Sequence, residues 1–383
     1  MDSLTQVVLG AAVGTAVMRR RTAAWKAALW GGICGTLPDL DAFIDHGNAV
    51  LNMTLHRAES HALFWLTLVS PVLAFAIAAL NRELDRFRRW WLAVWAVLIT
   101  HPLLDAMTIY GTQLALPFSD WPWGVGSIFI IDPLYTLPLL FGLGTTLAMR
   151  GPNRWRANSI GLLLSTAYLA VGVIAQAAVE NQVRSALAAA GDEKAATLPI
   201  LVTPTPFNTL LWRIVVMRAD SYDEGFVSLL DGDRPPRFES HDRGSELYEQ
   251  LRELPAVARM SRFTHGFFRM KEVDGRVAIT DLRMGQEPFY SFSFVVAERN
   301  ANPGLHEVVP YNIGGREGLD VAATLRWLAR RALGADEAPP RPDRLNSTVI
   351  PPTSAGHRTW PSTAWASASR ASTRPPGSHR LPT

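Results

Sequence analysis

The sequence predicts a membrane all-α bundle of about four to six transmembrane helices, followed by a small α+β domain outside the cytoplasm and a disordered tail. Three observations carry this. Residues 62–80 and 159–179 are almost free of charge, and roughly 20 such residues of helix cross about 30 Å of hydrocarbon. Basic residues between the apolar segments fall almost wholly in alternate loops. Beyond residue 180 the long apolar runs give way to short alternating ones, the period of strands. The resulting domains are 1–180 in the membrane, 181–335 as the α+β domain and 336–383 as the tail.

The 383 residues are 48% hydrophobic, high for a soluble protein. Before residue 38, two shorter apolar segments are divided by Arg19, Arg20, Arg21 and Lys26. A cleaved signal peptide puts its basic residues ahead of the apolar run; here Asp2 precedes it and the arginines follow. Both segments are therefore expected to remain as helices or half-helices, with Gly10, Gly14, Gly31, Gly32 and Gly35 permitting close packing. Residues 90–107 and 128–149 are nearly as apolar as the two clear spans, but they carry His101 with Asp105, and Asp132. The loops after the first, third and fifth segments hold eleven Lys and Arg residues, against Arg57 alone in the alternate connections. Cytoplasmic loops are enriched in such residues, so the amino terminus, 38–61, 108–127 and everything after 179 are expected outside, with six crossings.

The net charge of +3 resides in the tail, where six arginines oppose Asp336, Glu337 and Asp343. No nucleic-acid footprint remains. The single cysteine, Cys34, excludes an intrachain disulfide and reads as a small buried residue. In the α+β domain, strands are expected at 211–218, 226–230, 266–273, 276–282 and 291–298, with a hairpin at Val273-Asp274-Gly275-Arg276 and a helix at 321–333. They suggest one small antiparallel sheet. His241 and His265 lack ligand spacing and are expected at the surface. Trp121, Trp123, Tyr110 and Tyr135 suit an interfacial aromatic belt.

The chemistry-bearing residues crowd one side of this map. Asp39, Asp41, Asp45, His56, Arg57 and His61 share one outer loop; His101 and Asp105, four apart on one helix face, lie near an outer end, as does Asp132. Ionisable groups near hydrocarbon are costly unless they pair, meet water or bind an ion. Mixed Asp and His ligands suit a divalent metal, zinc first, with manganese or iron as alternatives. A structural account of the same residues has Asp39 capping a helix, His56 and His61 solvated, and His101 with Asp105 as a packing hydrogen bond. It serves for any one of them but not for the set. Asp132, ahead of Pro133, reads as a helix cap.

The opening Met-Asp-Ser-Leu-Thr-Gln, Pro-Asp-Leu-Asp from Pro38, His56-Arg57 with Ser60-His61, and His101-Pro-Leu-Leu-Asp105 followed by Tyr110-Gly111-Thr112-Gln113 resemble the YdjM/YbcI family of inner-membrane metal-dependent hydrolases over about residues 1–180. The resemblance implies a multi-pass protein of the bacterial inner membrane with a metal centre and a remote kinship to zinc-dependent phospholipases C. One departure is Thr5-Gln6 where relatives tend to show Thr-His, which argues against a metal ligand at the amino terminus.

The sequence thus points to a metal-dependent hydrolase with Asp39, Asp41, His56, His61, His101 and Asp105 as the ligand pool, Asp45 as candidate base and Arg57 for a substrate phosphate. Membrane lipids are the expected partners, and a lipid-linked phosphoester the expected substrate. Two rivals are a transporter with a proton relay through His101, Asp105 and Asp132, and a catalytically silent scaffold. The charge asymmetry generates a direct test: a reporter active only outside the cytoplasm is expected to work when fused after Glu180 and to be silent when fused after Arg88. The reverse pattern would overturn both the orientation and the outer-face site.

Overall fold

The computed structural model describes residues 1–340 except 152, 233, 300–303 and 316. The expected disordered tail lies outside the described residues from 341 onward.

Asp2 accepts a hydrogen bond from Thr5 N and caps α1 (Ser3–Met18), the side-chain oxygen taking up one of the free donors of the first turn. After the basic turn, α2 (Ala24–Thr36) returns against α1. Glycine decides this contact: a Cβ on Gly31 would sit 2.3 Å from the Gly10 carbonyl oxygen, and one on Gly35 2.7 Å from that of Gln6. The pair α6 (Pro133–Ala148) and α7 (Arg154–Ala189) repeats the device, with Gly161 against the carbonyl of Pro138. Small residues let helix backbones approach where no hydrophobic force separates helix from lipid. Between the two pairs come α3 (Ala49–Leu55), α4 (Leu63–Leu80) and α5 (Phe87–Ala106).

Among the described residues, α4 and α7 are the helices both long and apolar enough to cross a bilayer, while α6 is apolar but 16 residues long. The six expected crossings are therefore not all matched by full-length spans. Helix α7, with 36 residues, is about 54 Å long and runs straight through the expected boundary at 180. Its outer half packs Val179, Val183 and Leu187 on Val202, Trp212, Ile214 and Val216. The composition shift marks where the helix begins to pack on the first strands, not where it ends.

Beyond α7, two four-stranded antiparallel sheets form instead of one, in the orders β1-β2-β3-β4 and β10-β9-β6-β5. The first comprises β1 (Ile200–Pro204), β2 (Leu211–Met217), β3 (Ser221–Ser228) and β4 (Phe238–Asp242). After α8 (Ser245–Leu251) and α9 (Pro255–Phe263) come β5 (Phe268–Val273), β6 (Arg276–Asp281), the short hairpin β7 (Gly285–Gln286) and β8 (Phe289–Tyr290), then β9 (Ser293–Glu298), β10 (His306–Asn312) and α10 (Val321–Ala332). The expected strand at 226–230 is the second half of β3, which stops at Ser228 because Ser228 N bonds the Asp231 carboxylate and turns the chain. Strands β4 and β10 escape the alternation rule because they are polar, largely exposed edges.

The α+β domain sits on the connecting segments of the bundle. Val50 and Met53 of α3, together with Tyr110, join one core with Val257, Met260 and Phe263 of α9 and with Phe268 and Phe294. Arg259 donates to Thr54 Oγ1 at 3.2 Å. His265, expected at the surface, is half-buried: Nε2 bonds the Pro122 carbonyl at 3.0 Å and the ring leans on Trp121. The glycine contacts yield a paired test. Gly31→Ala forces backbone against backbone and is expected to destabilise the protein by about 1–3 kcal/mol, seen as a lower midpoint of thermal unfolding in detergent. Gly144→Ala, whose Cβ meets nothing within 4 Å, is the control expected to leave that midpoint unchanged or slightly raised.

Candidate metal centre

The candidate residues reach the centre from three local structures. Pro38 opens a 3-10 turn, Pro38–Phe43, since a first position needs no amide donor; the turn delivers Asp39 and Asp41. A second 3-10 turn, Glu59–His61, carries His61. Between them Arg57 adopts φ +66°, a left-handed conformation costing a side-chain-bearing residue about 1–3 kcal/mol. It is held there from both sides: Arg57 N donates to Asp41 Oδ2 at 2.9 Å, and its carbonyl accepts from Gln113 N at 3.0 Å. His101 and Asp105 stand one turn apart on α5.

Asp39, His61, His101 and Asp105 converge, each offering one ligand atom, with all four atoms within 4.8 Å of one another. His61 Nε2 lies 3.2 Å from His101 Nε2. From Asp39 Oδ1 it is 3.5 Å to His61 Nε2 and 3.4 Å to His101 Nε2; from Asp105 Oδ2 it is 3.3 Å and 3.5 Å to the same atoms. A tetrahedral ion with bonds of about 2.0–2.2 Å requires ligand atoms about 3.3–3.6 Å apart. Charge-assisted hydrogen bonds would instead close to about 2.7–2.9 Å, as the neighbouring His56–Asp41 pair does at 2.8 Å. The imidazoles and carboxylates of the cluster therefore stand further apart than that pair, at the spacing a coordinated ion requires.

The surrounding contacts aim the lone pairs inward. His101 Nδ1 donates to the Gly35 carbonyl at 2.7 Å, which assigns the proton to Nδ1 and leaves Nε2 bare. Ser60 Oγ donates to Asp41 Oδ2 and accepts from His61 Nδ1 at 2.8 Å, so His61 Nε2 is bare as well. Asp105 Oδ1 accepts from Gln6 Nε2 at 3.0 Å and from the amino group of Met1, while its buried Oδ2 has no hydrogen-bond partner. Such an orphaned oxygen facing two imidazole lone pairs fits a divalent cation. Burial alone would lower the His61 imidazole, but the Asp105, Asp39 and Asp41 carboxylates around it push it up to about 9. The pocket thus favours a positive charge at this point, and a bound cation would take the place of that proton and select the neutral ring with its bare Nε2. Burial would raise the Asp39 carboxyl, yet His101 and His61 hold it well below the usual carboxylate range.

The rest of the expected pool is placed elsewhere. Asp41 and His56 bond each other beside the cluster, and Asp41 orients His61 through Ser60. Asp45 is exposed, its carboxylate accepting from Gly47 N and Asn52 Nδ2. Arg57 is buried, with Nε 3.3 Å from Asp105 Oδ2 and its guanidinium 4.9 Å from the Tyr110 ring centre. Asp132 caps α6 and accepts from Tyr168. Three residues that the sequence reading set aside belong to the site's surroundings. Gln6 bonds Asp105, Ser60 links Asp41 to His61, and Tyr110, buried in the core shared with α9, donates to the Met53 carbonyl. Their signal was present in the Thr-Gln, Ser-His and Tyr-Gly-Thr-Gln segments.

Comparison with known proteins follows this division. An uncharacterized protein of Bacillus subtilis strain 168, YfhP, is 25% identical over 246 residues, covering 60% of this chain and 71% of its own. No solved structure matches. Residues 1–179 match the model for YdjM inner membrane proteins, a stretch that contains all four residues of the cluster. The site-bearing residues 1–179 are thus similar to the YdjM inner membrane protein family.

Proposed function

We propose that the protein is a membrane-bound metal-dependent hydrolase that cleaves a phosphoester in a membrane amphiphile at the outer face of the bacterial inner membrane. One observation carries the reading: two imidazole nitrogens and two carboxylate oxygens, one of them the buried Asp105 Oδ2 without a hydrogen-bond partner, lie within 4.8 Å of one another, with the His–Asp separations at 3.3–3.5 Å. A zinc, manganese or iron ion held by Asp39, His61, His101 and Asp105 would supply Lewis-acid activation of water near neutral pH.

The remaining roles follow from exposure and from free valences. The Asp39 side chain is 22% exposed, whereas those of His61, His101 and Asp105 are 0–1%, so substrate approaches past Asp39. Exposed Leu40, Phe43 and Ile44 flank that approach and suit an acyl chain. Arg57, ion-paired through Nε with Asp105 Oδ2 at 3.3 Å, brings a planar guanidinium of the kind that suits a phosphate oxygen beside the cluster. His56 donates Nδ1–H to Asp41, leaving Nε2 to accept a proton, and a carboxylate that orients an imidazole is the usual arrangement of a general base. In this reading His56 replaces Asp45 as base. It takes a proton from the attacking water as the new P–O bond forms, and returns it to the departing alcohol oxygen.

Elemental analysis of detergent-purified protein tests the centre. His61→Ala, His101→Ala and Asp105→Ala are each expected to lose most of a stoichiometric divalent metal, and Asp45→Ala to retain it. Wild type without stoichiometric metal after reloading would end the hydrolase reading. His56→Gln separates chemistry from binding: metal stays, while hydrolysis of a fluorogenic phospholipid in mixed micelles falls by about 10²–10⁴-fold. Metal retained in wild type with no phosphoester turnover would reduce the proposal to a metal-binding membrane protein.

A further inference from the structure

The α+β domain returns to the level of the bundle after α7 has left it. Strand β1 runs back along the helix, with Gln176 Nε2 donating to the Val202 carbonyl at 2.8 Å. The turn that follows reaches further down, where Thr209 Oγ1 donates to Tyr168 at 3.1 Å and Tyr168 donates to Asp132 at the start of α6. Tyr168 lies about 21 Å along α7 from Arg154 at 1.5 Å per residue, short of a hydrocarbon thickness of about 30 Å. The β1–β2 turn is thus level with the helix ends.

Strand pairing brings two further segments to the same end. Leu229 N bonds the Leu210 carbonyl at 2.9 Å where β3 finishes, and Ser228 Oγ bonds the Ala332 carbonyl at 2.7 Å where α10 finishes. Five large apolar side chains collect there: Phe207, Leu210, Leu229, Leu230 and Leu333, from 39 to 72% exposed. Phe207 has φ +70° and its ring meets Phe129, ahead of α6, at 6.2 Å. Apolar groups clustered at one end of a domain mark an interaction surface, and this one touches the bundle through Phe129, just ahead of the apolar helix α6.

We propose that this end of the α+β domain is a lipid-contacting foot, whose apolar side chains enter the interfacial region of the leaflet at the level of Asp132, where α6 begins, and of Tyr168 on α7. The proposal is independent of the metal reading and of which side of the membrane the domain occupies. Its consequence is that the domain rests on the bilayer as well as on α7, which would fix its tilt over the cluster of Asp39, His61, His101 and Asp105.

Nitroxide labels on Leu210→Cys, Leu229→Cys and Leu230→Cys in lipid nanodiscs test it, with Glu193→Cys, exposed beyond the far end of α7, as reference. The native Cys34 is buried, and the unsubstituted protein gives the labelling blank. At the three leucine positions, collisions with oxygen, which partitions into lipid, are expected to exceed those with a water-soluble nickel chelate several-fold; at position 193 the order is reversed. Chelate access at 229 and 230 equal to that at 193 would show a water-exposed surface and overturn the foot. Low access to both reagents would show a protein covering the patch and overturn it equally.

Discussion

Three side chains of the metal cluster, those of His61, His101 and Asp105, are wholly withdrawn from water, and their acceptor atoms face one another. In a medium of low dielectric constant this is costly for each group alone. Bare lone pairs 3.2 Å apart repel, and Asp105 Oδ2, without a hydrogen bond, has the Arg57 guanidinium at 3.3 Å to offset its lost hydration. Much of the neighbouring structure serves to hold this arrangement. The Gly35 carbonyl fixes His101, the relay from Asp41 through Ser60 fixes His61, and Gln6 takes one oxygen of Asp105 so that the other faces inward. A bound cation would convert these separate costs into one favourable set of contacts.

That arrangement depends in turn on how closely α1, α2 and α5 approach. Gly10, Gly31 and Gly35 remove the side chains that would separate α1 from α2, which brings Gln6 of one helix and the Gly35 carbonyl of the other onto α5. From the opposite side, the α+β domain presses α9 on α3 and on Tyr110. Tyr110 lies over Arg57, and Arg57 lies beside Asp105. The extramembrane half is thereby coupled to the centre through packed aromatic and cationic side chains, and α7 ties the two halves along a single helix.

Within the cluster, two populations of His–Asp contact occur side by side. His56 and Asp41 form an ordinary hydrogen bond, while the other imidazoles and carboxylates stand apart by half an ångström more. In the proposed reading the difference would separate a proton-transfer pair from a coordination set; in the structure Asp41 bonds His56 directly and His61 through Ser60.

The residues alone disclosed the two long spans, since hydrophobic run length is a local property, and they disclosed that Asp39, His61, His101 and Asp105 belong to one chemistry, because ionisable groups near hydrocarbon need a reason to be there. They also disclosed the β5–β6 hairpin and α10, where turn chemistry and periodicity agree. Which members of the pool would bind and which would orient them was decided by tertiary structure, because the difference between Asp39 and Asp41, two residues apart on one turn, is only the direction in which each carboxylate points. The same holds for Gln6, whose role exists only once glycine contacts bring α1 against α5. The second sheet, with its polar edges β4 and β10, and the docking of the α+β domain were equally hidden, since both arise from contacts between segments far apart in the chain.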